Sequence, residues 1–187
     1  MIGTIRRVSD IDLNDPAYMR AGIIPVYTAE DGTNYYAFGL SRNAAIFDFG
    51  GHMEPGENPI QAAVRELLEE TYNVFNHHIT VESILENDYE VIDGLNELNR
   101  AGERIGSLDI LIPVNVNMLK IMLDFKNIID SIDESEDVEI VRIIWIRHDH
   151  LCKIYRLEHP IRYCGSLPFY TYYRIQHGLQ RWVRECN

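Results

Sequence analysis

Between Gly50 and Glu70 the chain is committed first to a turn and then to a helix. Gly50, Gly51 and Gly56 permit backbone turns that bring a loop close to the helix. Asn58 offers a side-chain oxygen to the first unpaired helical N–H groups. Pro59 presets the first helical φ, and Gln61 stands where it closes a capping box. From there Ile60, Ala63, Val64, Leu67 and Thr71 recur at helical spacing on one side, with Arg65, Glu66, Glu69 and Glu70 mainly on the other. Glu66, Glu69 and Glu70 stand at i, i+3 and i+4, so the three carboxylates share a face. Like charges this close repel unless something compensates them. A hard divalent cation, Mg2+ or Mn2+, would do so through oxygen ligands. Three acids alone would also suit a solvated amphipathic helix. The glycine loop, Glu57 and Arg65 at fixed offsets move the balance to a site. Glu57 either faces that site or forms a salt bridge, and Arg65 can hold a carboxylate by two hydrogen bonds.

The rest of the chain reads as strands and helices in uneven alternation. Residues 1–19 are weakly periodic and suit an irregular arm or an edge strand. Ala21–Thr28 and Tyr35–Leu40 read as strands joined by an Asp31-Gly32 turn, a hairpin that implies antiparallel pairing. Ala44–Phe49 is a short apolar stretch running into the glycines. Ile79–Ile92 reads as strand and 96–106 as polar loop. Ser107–Val116 is strand, Met118–Ile129 helix, 130–137 an acidic loop, Glu139–Arg147 a strand containing Trp145, and Pro168–Cys186 a tyrosine-rich helix. The pattern fits an α+β class, a mixed sheet between helices, better than a doubly wound parallel sheet.

Composition narrows the function. The chain has 187 residues, enough for one core, and a single domain over 1–187 is the simplest organisation. Residues 117–137 then read as a helical and acidic-loop insertion. The formal net charge of −12 argues against broad, sequence-independent nucleic-acid binding. Three cysteines, Cys152, Cys164 and Cys186, make a disulfide framework improbable and favour a reducing, cytoplasmic setting. No apolar run is long enough to span a bilayer, so no membrane partner is expected. His77-His78 and His148/His150 lack partners at zinc-site spacing and read as surface histidines.

The segment closely resembles the Nudix box, G-x5-E-x7-R-E-U-x-E-E-x-G-U, where U is a bulky aliphatic residue. Gly51, Glu57, Arg65, Glu66, Leu67, Glu69 and Glu70 all match in place. The resemblance implies the family's α/β/α sandwich and a magnesium- or manganese-dependent hydrolysis of a diphosphate. By motif position it implies Glu66, Glu69 and Glu70 as metal ligands, Gly50 contributing its carbonyl, and Glu57 as a further ligand or support. Arg65 would orient the carboxylates. The general base would be Glu66 or an acid of the later loop (Glu134, Glu136, Asp137 or Glu139), of which Glu139 is the candidate by its spacing from Trp145. The box ends atypically, with Tyr72 and Asn73 in place of glycine and an aliphatic residue. The helix is therefore expected to run about one residue further, with Asn73 as its left-handed cap.

The substrate-binding candidates lie outside the acids. Arg42, between the second strand and the glycine loop, could meet a phosphate, as could Arg20 and Arg104. Phe49 and Gly51 border the cleft, with Tyr27, Phe47 and Tyr89 as further aromatics; each of these rings also suits core packing. The function implied is hydrolysis of a small-molecule diphosphate, a nucleoside diphosphate linked to another moiety. The alternatives are decapping of capped messenger RNA, hydrolysis of diphosphoinositol polyphosphates, or a non-catalytic ligand sensor on the same fold. A homodimer is a possible assembly, as in many relatives.

Overall fold

The computed structural model describes residues 4–42, 46–94, 97–98, 104–133 and 138–151. The helix start read from the sequence is present atom for atom. Asn58 Oδ1 accepts from the N–H groups of Ile60 and Gln61, each at 3.0 Å, and Gln61 Oε1 accepts from Asn58 N–H at 3.0 Å. Helix α1 runs from Pro59 to Glu70 and buries Ile60, Ala62, Ala63, Val64 and Leu67.

Its far end departs from expectation. The helix does not run on; Thr71 is the C-cap, and Tyr72 (φ 49°) and Asn73 (φ 63°) are both left-handed. Tyr72 N–H donates to Glu69 O at 3.2 Å and Asn73 N–H to Leu68 O at 2.8 Å. These two bonds form a Schellman ending with tyrosine in the usual glycine position. Ring packing offsets the strain of a side chain at positive φ: Tyr72 lies against Phe125, centroids 6.1 Å apart. Asn73 is left-handed as expected, two residues beyond the Thr71 cap.

Strands β1 (Thr4–Arg7), β6 (Glu90–Asp93), β8 (Arg104–Pro113), β2 (Tyr18–Thr28), β3 (Asn34–Ser41) and β4 (Ile46–Phe47) lie side by side in that order. β5 (Phe49–His52) also pairs with β2, β9 (Ile140–Arg147) with β3, and the short β7 (Glu97–Leu98) with β8. β2 and β8 are parallel and the other described pairs antiparallel, so the sheet is mixed. The expected β2–β3 hairpin turns at Asp31-Gly32, where Gly32 has φ 81°. Of the two readings of residues 1–19, the edge strand is realised in part: β1 lies at the sheet edge on β6, followed by a 3-10 turn at Val8–Asp10. Arg6 and the Tyr18 hydroxyl both donate to the buried carboxylate of Asp93, which ties this edge down.

Ile79–Ile92 is not all strand. Thr80 and Ser83 form a reciprocal capping box that starts helix α2 (Val81–Asn87), and only Glu90–Asp93 is extended. Local capping outweighs the apolar content of that stretch. The polar loop over 96–106 is also partly paired, as β7 and the start of β8. Residues 117–137 form helix α3 over Met118–Ser131, and Val138 and Ile140 are buried beyond it. The tyrosine-rich segment 168–186 and the cysteines lie outside the described residues.

Alternation along β2 and β8 divides the core. Ala21, Ile23, Leu108, Ile110 and Ile112 pack with the buried residues of α1, α2 and α3, while Ile24, Val26 and Leu111 pack on the other side with Tyr36, Phe38 and Leu151. Leu151 comes from a helical stretch at 148–151 that directly follows β9. No helix among the described residues is long and apolar enough to cross a membrane.

Asn73 is exposed, so substitutions there test the left-handed cap without a burial effect. Asn73→Val should destabilise the protein by about 1–2 kcal/mol in urea unfolding, whereas Asn73→Gly should lose nothing. Equal stability of the two variants would contradict the cap geometry.

Candidate active site

The sheet forks next to α1. β2 pairs with β3 over Val26–Thr28, but over Arg20–Ile23 it pairs with β5 instead, while β3 pairs with β4 at Gly39 and Leu40. Asp48 is the single residue between β4 and β5 and is 2% exposed. β5 then delivers Gly50 and Gly51 against the acidic side of α1. A Cβ on Gly51 would stand 2.4 Å from the Glu66 carboxylate, and one on Gly50 would stand 2.5 Å from Gly22 Cα. The glycine pair is therefore required by space: one glycine makes room for a carboxylate, the other for a neighbouring strand.

Arg65 organises the outer half of the site. Its Nε and Nη2 donate to the two oxygens of Glu57 at 2.8 and 3.0 Å, and Nη1 donates to Glu66 at 2.8 Å and Glu69 at 3.1 Å. Nη2 also donates to the His52 carbonyl at 2.9 Å, which ties α1 to the end of β5. The hydrogen bonds to Glu57, reinforced by Glu66, hold the guanidinium above its usual range. The same pairing holds Glu57 below the usual carboxylate range. Of the two roles open to Glu57, the salt bridge is the one formed. Glu69 is 61% exposed.

Glu70 lies at the inner half. Gly50 N–H donates to its Oε2 at 2.9 Å. Burial, together with the charges of Asp48, Glu139 and Glu66, pushes its carboxyl up to about 9, against the opposing pull of Arg20. Glu139, immediately before β9, thus lies close enough to act on Glu70. Ser41 registers with Ile140, so Arg42 and Glu139 share one end of the β3–β9 pair; both are exposed.

The structure corrects the readings of Phe49 and Arg20. Phe49 is fully buried against Phe75, centroids 6.2 Å apart, and has no surface for a substrate. Gly51 acts by clearing space for Glu66. Arg20 is a buried cation held by acids: Nη1 donates to Asp48 at 2.7 Å and lies 3.5 Å from Asp109, and Nη2 donates to the Gly50 carbonyl at 2.7 Å. That carbonyl, expected as a metal ligand, accepts a hydrogen bond from the Arg20 guanidinium. Tyr27 packs on Trp145 at 6.5 Å. His77 and His78 are exposed, as expected. Glu134, Glu136 and Asp137 lie outside the described residues, as does the side chain of Arg104.

Asp48 and Asp109 were missed from sequence. Their signal was an acid inside an apolar run, in Ile46-Phe47-Asp48-Phe49 and Leu108-Asp109-Ile110-Leu111. A buried charge needs a partner, and nothing in the linear order points to Arg20. Among the described residues no three acidic, His or Cys side chains converge as a ready-made metal shell. Arg65 holds three of the acids instead.

The raised carboxyl of Glu70 has a measurable consequence. Unfolded it ionises near 4.5 and folded near 9, so unfolding releases a proton across that window. Glu70 therefore stabilises the fold below the lower value and loses that contribution as pH rises through the upper one. In chelator-treated protein at pH 8, Glu70→Gln should raise unfolding free energy by roughly 2–4 kcal/mol, allowing for partial solvent access. The gain should vanish below pH ~4.5. Urea unfolding across this range checks it; a pH-independent difference would show that Glu70 is an ordinary carboxylate.

Residues 41–95, which include β4, β5, the glycine loop and α1, match the family model of the NUDIX domain. No curated protein sequence matches the chain. Among solved structures, the M. smegmatis Nudix hydrolase RenU is 12% identical, with a TM-score of 0.52 over 91% of this chain and 88% of that one. A C. elegans Ap4A hydrolase in a binary complex is 15% identical, with a TM-score of 0.48 over 90% of this chain and 98% of that one. A mutT/nudix family protein of Listeria innocua is 16% identical, with a TM-score of 0.45 over 92% and 98%. The chain thus matches the NUDIX domain model over residues 41–95, and over nearly its whole length it shares the fold of the RenU Nudix hydrolase.

Proposed function

We propose that this protein is a pyrophosphohydrolase that uses Mg2+ or Mn2+ to cleave a diphosphate in a small molecule, a nucleoside diphosphate linked to another moiety. The observation that carries the reading is the acidic face of α1 beside the glycine loop: Arg65 holds Glu66 and Glu69, and the Gly50 N–H holds Glu70. An oxygen-only donor set with excess negative charge suits a hard divalent cation. In the proposed site Glu66, Glu69, Glu70 and Glu139 would hold the cation, which would supply charge neutralisation on the phosphate oxygens.

The chain's own residues do the rest. Arg65 and Glu57 fix the face of α1, so the orientation of Glu66 and Glu69 is set before any ligand arrives. Gly50 N–H fixes Glu70. Glu66 and Glu139 are the candidate bases to accept a proton from the attacking water. Arg42, exposed at the same strand end as Glu139, is the cation offered to a phosphate beyond the scissile bond.

A hydrolysis screen with Mg2+ and Mn2+ over nucleoside triphosphates, dinucleotides, ADP-ribose, NADH, capped RNA and diphosphoinositols tests this reading. Turnover of a nucleoside diphosphate derivative, stopped by chelation, is the expected result. Glu66→Gln and Glu70→Gln should each lower kcat by about 10²–10⁴-fold; near-normal turnover by either variant would refute the assignment. Gly51→Ala should cut turnover by at least ~10-fold through displacement of Glu66. Its melting temperature should move little, because the clash is with the end of a flexible side chain.

A further inference from the structure

We propose that Arg20 is a positioning residue: clamped by Asp48 and Asp109, it holds Gly50 by the carbonyl and so keeps the Gly50 N–H aimed at Glu70. It acts through Gly50 and Glu70 and does not itself meet substrate.

The geometry forms a continuous chain. Asp48 Oδ2 accepts from Arg20 Nη1 at 2.7 Å, Gly50 O accepts from Nη2 at 2.7 Å, and Gly50 N–H donates to Glu70 Oε2 at 2.9 Å. Asp109, on β8 across β2, flanks Nη1 at 3.5 Å. Gly50 is thus gripped at both of its polar backbone groups, by a cation on one and a carboxylate on the other.

Burial makes the grip stiff. The Arg20 side chain is 17% exposed, and the side chains of Asp48 and Asp109 are 3% exposed each. Charges this deep are costly to separate, so removing one partner strands the other. The fork has also been cleared for the pair. A Cβ on Gly22 would lie 2.7 Å from Asp48 Oδ2 and 3.1 Å from Asp109 Oδ1. Charge balance points the same way. Burial pulls the guanidinium towards neutrality, yet Asp48 and Asp109 outweigh it and hold Arg20 above its usual range.

This grip bears on the proposed metal chemistry: Arg20 sets where Glu70 presents its oxygens.

The test uses full-length Arg20→Lys and Asp48→Asn, the second keeping an acceptor for Arg20. The first readout is exchange of the Gly50 amide proton in cation-free protein, referenced to the Ile110 amide in the core to remove global unfolding. The second is Mn2+ affinity by electron paramagnetic resonance, without substrate. Lysine cannot reproduce the two-armed fork, so Arg20→Lys should speed relative Gly50 exchange and weaken Mn2+ binding, each by at least ~10-fold, as expected when support of a ligand is removed. Asp48→Asn should move both the same way by a smaller factor. Unchanged relative exchange in a folded Arg20→Lys protein overturns the proposal. So does tighter Mn2+ binding, which would make Arg20 merely a repelling charge. If Arg20→Lys does not fold, unchanged exchange in Asp48→Asn overturns it equally. The affinity arm rests on the proposed function. If the wild-type protein binds no Mn2+, that reading fails, and Gly50 exchange decides the positioning role by itself.

Discussion

The structure around the fork depends on mutual repulsion among carboxylates and on the two guanidiniums that contain it. Glu57, Glu66 and Glu69 converge on Arg65, and Asp48 and Asp109 converge on Arg20, with Glu70 between the two groups. Neither arginine neutralises Glu70, which is where burial and like charge act together. A fold that keeps such a residue gives up stability for a poised carboxylate, a cost recurrent at functional sites.

Glycines make that concentration of charge possible by what they lack. Gly22 leaves room for two aspartates, Gly51 for a glutamate, and Gly50 for the close approach of β5 to β2. Only Gly32 and Gly56 among the described glycines have positive φ, so the site glycines are explained by space rather than by backbone conformation. The fork, the glycines and the cap of α1 are one device: the strands part, β5 crosses to β2, and the helix begins a short loop later with its acidic face towards the opening.

Much of this was legible in the linear order. Asn58, Pro59 and Gln61 marked the helix start because capping is local chemistry completed within four residues. The spacing of Glu66, Glu69 and Glu70 placed them on a shared face for the same reason. The β2–β3 hairpin was readable from Asp31-Gly32 and two apolar runs. Local readings failed where a competing local signal was overlooked, as with the Thr80–Ser83 capping box that makes α2. The end of α1 failed for a different reason. The strain of left-handed Tyr72 is offset by Phe125, a contact some fifty positions away that no window of sequence contains.

By itself, then, the sequence determined the helix, its acidic face, the arginine that grips it and the kind of chemistry such a face suits. Each of these rests on spacing along one element. Tertiary structure alone decided which acids are buried, that Phe49 faces the core, that Arg20 is an internal cation committed to Gly50, and that Glu139 comes near Glu70. Burial and charge pairing are properties of three-dimensional neighbours. Here those neighbours, on β2, β5, β8 and β9, are brought together by a strand crossing that linear order does not encode.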